Sequence, residues 1–257
     1  MNKDLTAPGD LIRSESLSEL KSLAGWFDLK HGTTIIVIGG WAVFSYNPYL
    51  GSFDIDCVGP REPFYTQLDL YMYSHGYELE KKDPFGLTKF FVKHILRGST
   101  FIGDIYIDAC SFDDGNCFKE NETKKLPYGL CGKAEYINRR LINGTTTWVP
   151  IKELLFLYKL KALSDRQWML KNEKLEPPDK DYLTGKIEKD KTDLLALLDP
   201  RFGPQDPSRL SKIVKEFDLE FAFGTLSDLP NEQGAMQNYN TTKKEVDVWV
   251  NTILGKD

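Results

Sequence analysis

Apolar positions along the first half of the chain follow two alternating rhythms. Between Glu15 and Leu29 the residues Leu17, Leu20, Leu23, Ala24 and Phe27 fall near the i, i+3, i+4, i+7 stripe of an amphipathic helix. Thr33 to Ile38 is a β-branched run closed by Gly39 and Gly40, which predicts a fully buried strand. A short helix over Trp41 to Tyr46 is predicted to start from the glycine pair, and Asn47 to Ser52, with Pro48 and Gly51, reads as a turn. Phe53 to Val58 is the next strand, Glu62 to Tyr73 a helix stopped by Gly76, and Thr88 to Leu96 a further strand. Over Phe101 to Phe112, Ile105, Ile107 and Ala109 alternate with Asp104, Tyr106 and Asp108, the period of a half-buried strand. This alternation of helix and strand predicts an α/β (α+β) layer structure, a mixed sheet with flanking helices.

After residue 150 the period becomes helical. Ile151 to Arg166 carries a long helical pattern, and further helices are expected over 189 to 198, Pro207 to Glu216 and Lys243 to Ile253. A boundary near residue 149 therefore divides the chain into domains 1–149 and 150–257. Pro150 is expected in the first turn of the opening helix of the second, helical domain. Lys171 to Glu188, charged and holding Pro177 and Pro178, is expected to be an exposed loop.

Chemistry concentrates in the first half. On the predicted strand Phe53 to Val58, Asp54 and Asp56 point to one face, and two carboxylates held that close repel unless a cation lies between them. An all-oxygen site of this kind suits Mg²⁺ (or Mn²⁺), which accepts a few carboxylates and completes its shell with water and phosphate oxygens. Asp104 and Asp108 share a face of another strand. Asp108, set among Ile107, Ala109 and Cys110, is favoured as the third acid, because a carboxylate in apolar surroundings needs a partner. Gly39 and Gly40, between a strand and a helix, let the backbone approach a phosphate, and the helix N-terminus supplies N–H groups. Ser45 and Ser52 are nearby hydroxyls. These parts together suit a nucleoside triphosphate with its metal ions, attacked at the α-phosphate by an acceptor hydroxyl.

Gly39 and Gly40, followed after a spacer by Asp54, Ile55 and Asp56, resemble the first motif of the polymerase β type nucleotidyltransferase superfamily, and the Asp108 strand resembles its third acid. Trp148, Val149 and Pro150, then Lys159, Ala162 and Arg166, then Lys189, Asp190 and Asp193, are similar to the helical motifs of the AbiEii-like nucleotidyltransferases, a family that includes toxins of abortive-infection systems. The resemblance spans roughly residues 33 to 200. Leu50 and Ser52 stand where many members carry Arg and Thr; serine keeps the hydroxyl and Leu50 removes a cation. The resemblance implies that Asp54 and Asp56 bind metal, Asp108 helps to activate the acceptor, and Gly39, Gly40 and Ser52 hold phosphates. On one helix Lys159 and Arg166 share a side, from which they would neutralise the triphosphate, with Lys189 and Asp190 orienting them or contacting base or ribose. The helical domain is then expected to close over the nucleotide. The acceptor, a hydroxyl of tRNA, a protein or a small molecule, stays open, as does an antitoxin partner. The alternative reading is a catalytically silent nucleotide-binding or toxin–antitoxin protein of the same fold.

Composition narrows the remaining classes. The 257 residues are 41% hydrophobic and 12% aromatic, enough apolar area to close a core and to exclude a disordered chain. No apolar run approaches the roughly 18 residues of a membrane span, and the first residues lack the apolar stretch of a secretory signal, so a cytoplasmic location is expected. A net charge of -5 weakly opposes non-specific nucleic-acid binding, although bound Mg²⁺ would reduce the weight of that argument. Cys57, Cys110, Cys117 and Cys131 form no CxxC pair and are expected to be free thiols; His31, His75 and His94 lie far apart and carry no assigned role.

Overall fold

In the computed structural model residues 8–29, 34–48, 50–231 and 233–255 are described. The expected strand start at Thr33, as well as His31 and Tyr49, lies outside them. The chain forms two compact units: Met1–Ser45, Leu50–Asp114 and Pro127–Pro150 make the first, and Tyr46–Tyr49, Gly115–Leu126 and Ile151–Asp257 the second.

The first unit is a mixed sheet with helices. Its helices are α1 (Pro8–Asp28), α2 (Gly39–Tyr46) and α3 (Arg61–Ser74). The strands are β1 (Ile36–Ile38), β2 (Ile55–Gly59), β3 (Glu78–Lys82), β4 (Thr88–Arg97), β5 (Thr100–Ser111), β6 (Ile137–Ile142) and β7 (Thr145–Pro150). Among the described residues they form one seven-stranded sheet in the order β3-β4-β5-β2-β1-β7-β6. β2 runs parallel to β5 and antiparallel to β1, and β1 runs parallel to β7. The central strands bury Ile36, Val37, Ile55, Cys57, Val58, Ile105, Ile107 and Ala109. Leu20, Leu23 and Phe27 of α1 and Phe64, Leu68 and Met72 of α3 are buried as well, with the Phe27 and Phe64 rings 5.6 Å apart. Each such Leu or Phe removed from water stabilises the fold by about 1.5–3 kcal/mol.

Three strands carry no apolar alternation that predicts them. β3 is an edge strand with every residue exposed, its charges suiting an edge that must not recruit another chain. β6 and β7 pair through Asn143 and Gly144, both at positive φ, the two-residue turn that an Asn-Gly pair favours. Pro150 closes β7; the helix begins at Lys152 with Ile151 as its N-cap, so the expected place of Pro150 in the first helical turn is corrected.

The second unit is helical: α4 (Lys152–Asn172), α5 (Pro177–Leu198), α6 (Pro207–Phe217), α7 (Gln233–Asn238) and α8 (Lys243–Leu254), with a 3-10 segment over Glu220–Asn231. α4 buries residues on all sides from Lys152 to Leu163, the mark of a central helix. The expected loop over Lys171 to Glu188 is overturned from Pro177 onward. Pro177 and Pro178 occupy the first positions of α5, where a missing N–H costs nothing, and the charges that follow are the solvated face of that helix. Among the described residues no helix is long and apolar enough to cross a membrane.

Candidate active site

The site is set by strand register. Asp56 on β2 is the direct partner of Asp108 on the parallel neighbour β5, and on its other side it lies opposite Ile38, the last residue of β1. Paired residues of adjacent strands share a face, so both carboxylates stand side by side near the middle of the sheet, each half-buried. Gly39 follows Ile38 directly. It has φ +66°, and a Cβ added there would lie 1.8 Å from Oδ2 of Asp56. Only glycine fits this turn, and the close approach it permits is to the Asp56 carboxylate at the start of α2. The glycine pair expected to approach a phosphate thus also lets the backbone close on an acid.

Asp54 precedes β2. The strand begins at Ile55, not Phe53, so a bend and not strand alternation places Asp54. It is half-buried, and its charge reaches the Tyr106 hydroxyl, which burial chiefly, then Asp104, Glu80 and Asp54, push up. Asp104 is engaged elsewhere on β5. His94, its cross-strand partner, lies 2.6 Å away through Nδ1, and Tyr106 donates to Asp104 at 3.4 Å. Register thus separates the two candidates for a third acid: Asp108 faces Asp56, and Asp104 pairs with a histidine that the sequence left without a role.

The field around the pair is negative. Burial first, then Asp56 and Asp108, hold the Cys57 thiol well above its ordinary range. Tyr128 is raised likewise, by burial and then by Cys110, Asp114, Asp56 and Cys131. Tyr128 begins a 3-10 turn, Tyr128–Gly132, that packs on β2 and β5, and its N–H donates to the Asp114 carbonyl at 3.1 Å. Neither Tyr128 nor Asp114 was found from the sequence, since nothing in a spacing of twenty residues from Asp108 marks a return to the same strands. Ser52 is buried, and Ser45 donates back to the Ala42 carbonyl at 2.6 Å within α2.

The donor set fits a hard divalent cation. Among the described residues no three His, Cys, Asp or Glu side chains gather as a ready-made metal cage. What the structure presents is the pair Asp56 and Asp108, with Asp54 one residue outside β2. Mg²⁺ is commonly held by one or two carboxylates, with water and substrate phosphates completing its octahedron, and an adjacent carboxylate pair meets that need.

The remaining predicted residues lie in the second unit and form a cluster of their own. Lys159 on α4 stands 2.6 Å from Oδ2 of Asp193 and 3.6 Å from Oδ1 of Asp190 on α5, and Arg166 pairs with Asp190 through Nη1. Lys159 and Arg166 do share a side of the helix, and Asp190 holds both. Asp190 and Asp193 are 2% and 3% exposed, and Lys189 is half-buried beside them.

No family model and no curated protein matches the chain, so likeness to the AbiEii-like family rests on the motifs alone. Three solved structures are similar to it at low identity. The antibiotic-resistance factor ANT(2'')-Ia matches over 82% of this chain and 95% of its own, at 13% identity and a TM-score of 0.45. In complex with adenylyl-2''-tobramycin, the same factor matches over 81% and 99%, at 14% identity and a TM-score of 0.44. An antigenic nucleotidyltransferase-like protein from Paracoccidioides brasiliensis matches over 89% and 94%, at 14% identity and a TM-score of 0.47. At such values the reaction rests on the site's own residues.

Proposed function

We propose that this chain is a metal-dependent nucleotidyltransferase that moves a nucleoside monophosphate from an NTP to an acceptor hydroxyl. The observation that supports it best is the Asp56 and Asp108 pairing with the backbone of Gly39 closed against Asp56. Asp54 and Asp56 would hold Mg²⁺ (or Mn²⁺), which when bound screens the phosphates and polarises the α-phosphate. Asp108 would orient the acceptor hydroxyl and take its proton as the new O–P bond forms. The bond from the α-phosphorus to the bridging oxygen breaks, and pyrophosphate leaves with that electron pair. Gly39 and Gly40, which open α2, and Ser52, in the loop before Asp54, would position phosphate oxygens.

Residues 1–149 would then be the catalytic domain and 150–257 a helical domain. The motif resemblance of Trp148 to Pro150, Lys159, Arg166, Lys189 and Asp190 favours an AbiEii-like enzyme and, with it, a toxin paired with an antitoxin. The acceptor class is a hydroxyl of tRNA, a protein or a small molecule. The test is incubation with each α-labelled NTP, Mg²⁺ and a cell extract. Label should pass to one class of acceptor with release of pyrophosphate, and Asp54→Ala with Asp56→Ala should abolish transfer while leaving the circular dichroism unchanged. Transfer at the unaltered rate in that double variant overturns the mechanism.

A further inference from the structure

We propose that Arg13, on the N-terminal helix, binds the triphosphate of the nucleotide; this rests on the function proposed above. α1 lies along the loop that leads into Asp54. Gly51 has φ +67°, and a Cβ there would stand 3.1 Å from Cδ of Arg13 and 3.0 Å from the indole of Trp41. The missing side chain lets the stem of Arg13 lie across the loop. The guanidinium then sits over Phe53, 5.2 Å from the ring centroid, and Phe53 is the residue before Asp54. The Trp41 indole, two residues beyond Gly39, donates to Ser16 at 3.0 Å, one helical turn on from Arg13. Trp41 therefore fixes α1 against both segments that frame the acids: the turn at Gly39 and the loop at Gly51.

The chemistry of the position favours phosphate. Held over Phe53, the guanidinium still carries a planar fork of N–H donors, the group with which Arg grips phosphate oxygens. Its present partner is Asp10, 2.9 Å away, in an i, i+3 pair with side chains 37% and 55% exposed. Such surface pairs hold weakly, so a triphosphate readily replaces Asp10. Three other cations of the same unit are more firmly committed. Lys89 reaches both oxygens of Asp69 at 2.6 and 2.7 Å, Lys93 pairs with Glu19, and Arg140 donates to the Ser45 carbonyl at 2.7 Å.

The experiment is calorimetric titration of the full chain with α,β-methylene triphosphates of the four common nucleosides, and with the matching monophosphates, in Mg²⁺. Binding of a triphosphate by the wild type is expected, and its absence overturns the functional reading together with Arg13. Given that binding, Arg13→Gln should weaken the triphosphate roughly tenfold or more and the monophosphate less than twofold, with Arg13→Lys in between. Asp10→Asn, which releases Arg13, should tighten the triphosphate by about twofold, and should do nothing when Arg13 is already Gln. Triphosphate affinity unchanged in Arg13→Gln, or an equal loss for both ligands, overturns the assignment and leaves the functional reading standing. Should Arg13→Gln fail to fold, Asp10→Asn decides: unaltered triphosphate affinity there refutes the proposal.

Discussion

Gly39→Ala tests the site where it is tightest. An alanine at φ +66° takes up a left-handed conformation that costs an L-residue roughly 1–2 kcal/mol. Its Cβ, at 1.8 Å from Asp56 Oδ2, also forces the carboxylate back by about 1.5 Å before ordinary contact is reached, and overpacking of this kind adds about 1–3 kcal/mol. Urea unfolding followed by circular dichroism should therefore report a loss of about 2–5 kcal/mol. Transfer should fall by at least about a hundredfold, since a 1 Å misplacement of a catalytic group already costs that much. The two contributions separate in a double-mutant cycle. In an Asp56→Gly background no carboxylate obstructs the new methyl group, so Gly39→Ala should lose only the conformational part, a coupling of about 1–3 kcal/mol. Equal destabilisation in both backgrounds would show that the Gly39 backbone does not lie against Asp56, and the site as described would fall.

Asp108→Asn should abolish transfer yet raise apo stability by about 0.5–1 kcal/mol, because it removes a like charge beside Asp56; Mg²⁺ should raise the thermal midpoint of the wild type more than that of the variant. Asp190→Ala leaves Lys159 and Arg166 without a carboxylate that both contact, and should cost about 3 kcal/mol in urea unfolding, the low end for a broken buried pair since Arg166 is 31% exposed. His94 is raised above its ordinary 6.5 by its hydrogen bond to Asp104. Its bond with Asp104 therefore stabilises the fold fully below pH 6.5, and that contribution is lost as pH rises through the raised folded value. NMR titration should place His94 above 6.5, and Asp104→Asn should return it there; a value unmoved by the substitution refutes the pairing.

What the sequence revealed follows from which physical signal was local. Alternation of Ile105, Ile107 and Ala109 against acids marked β5, and the β-branched run before Gly39 marked β1, because burial on one or both faces writes itself into a short window. β3 escaped because an exposed edge has no apolar face to write. The β6–β7 hairpin carried a signal, Asn143 followed by Gly144, which turn chemistry reads and hydrophobic period does not. Pro177 and Pro178 misled for a related reason: proline breaks a helix interior and starts a helix at its first turn, and only the N-cap context distinguishes the two. In the candidate site, motif order singled out Asp56 and Asp108, but their facing one another depends on the parallel pairing of strands fifty residues apart. Tyr128 and Arg13 approach through tertiary packing that no spacing encodes.

The two groups of predicted site residues now differ in what they require. Lys159, Arg166, Asp190 and Asp193 match two cations with two carboxylates at contact distance, so their charges are balanced within the second unit and the arrangement explains itself as an internal tie between α4 and α5. A nucleotide role for Lys159 and Arg166 would have to be won from Asp190 and Asp193, against an interaction worth several kcal/mol in a buried setting. Asp56 and Asp108 are the reverse. Ile55, Cys57, Ile107 and Ala109, their neighbours along the two strands, are at most 1% exposed and belong to the opposite, buried face, while on the half-buried face two like charges occupy opposed positions of a parallel pair. A left-handed glycine is held against one of them. Like charges and a left-handed backbone thus coincide at one point of the sheet, and such coincidences persist where function compensates them. On the proposed function a cation joins the carboxylates, and the phosphate-bound cation of an NTP is the ligand that the turn, the acids and Arg13 would jointly suit.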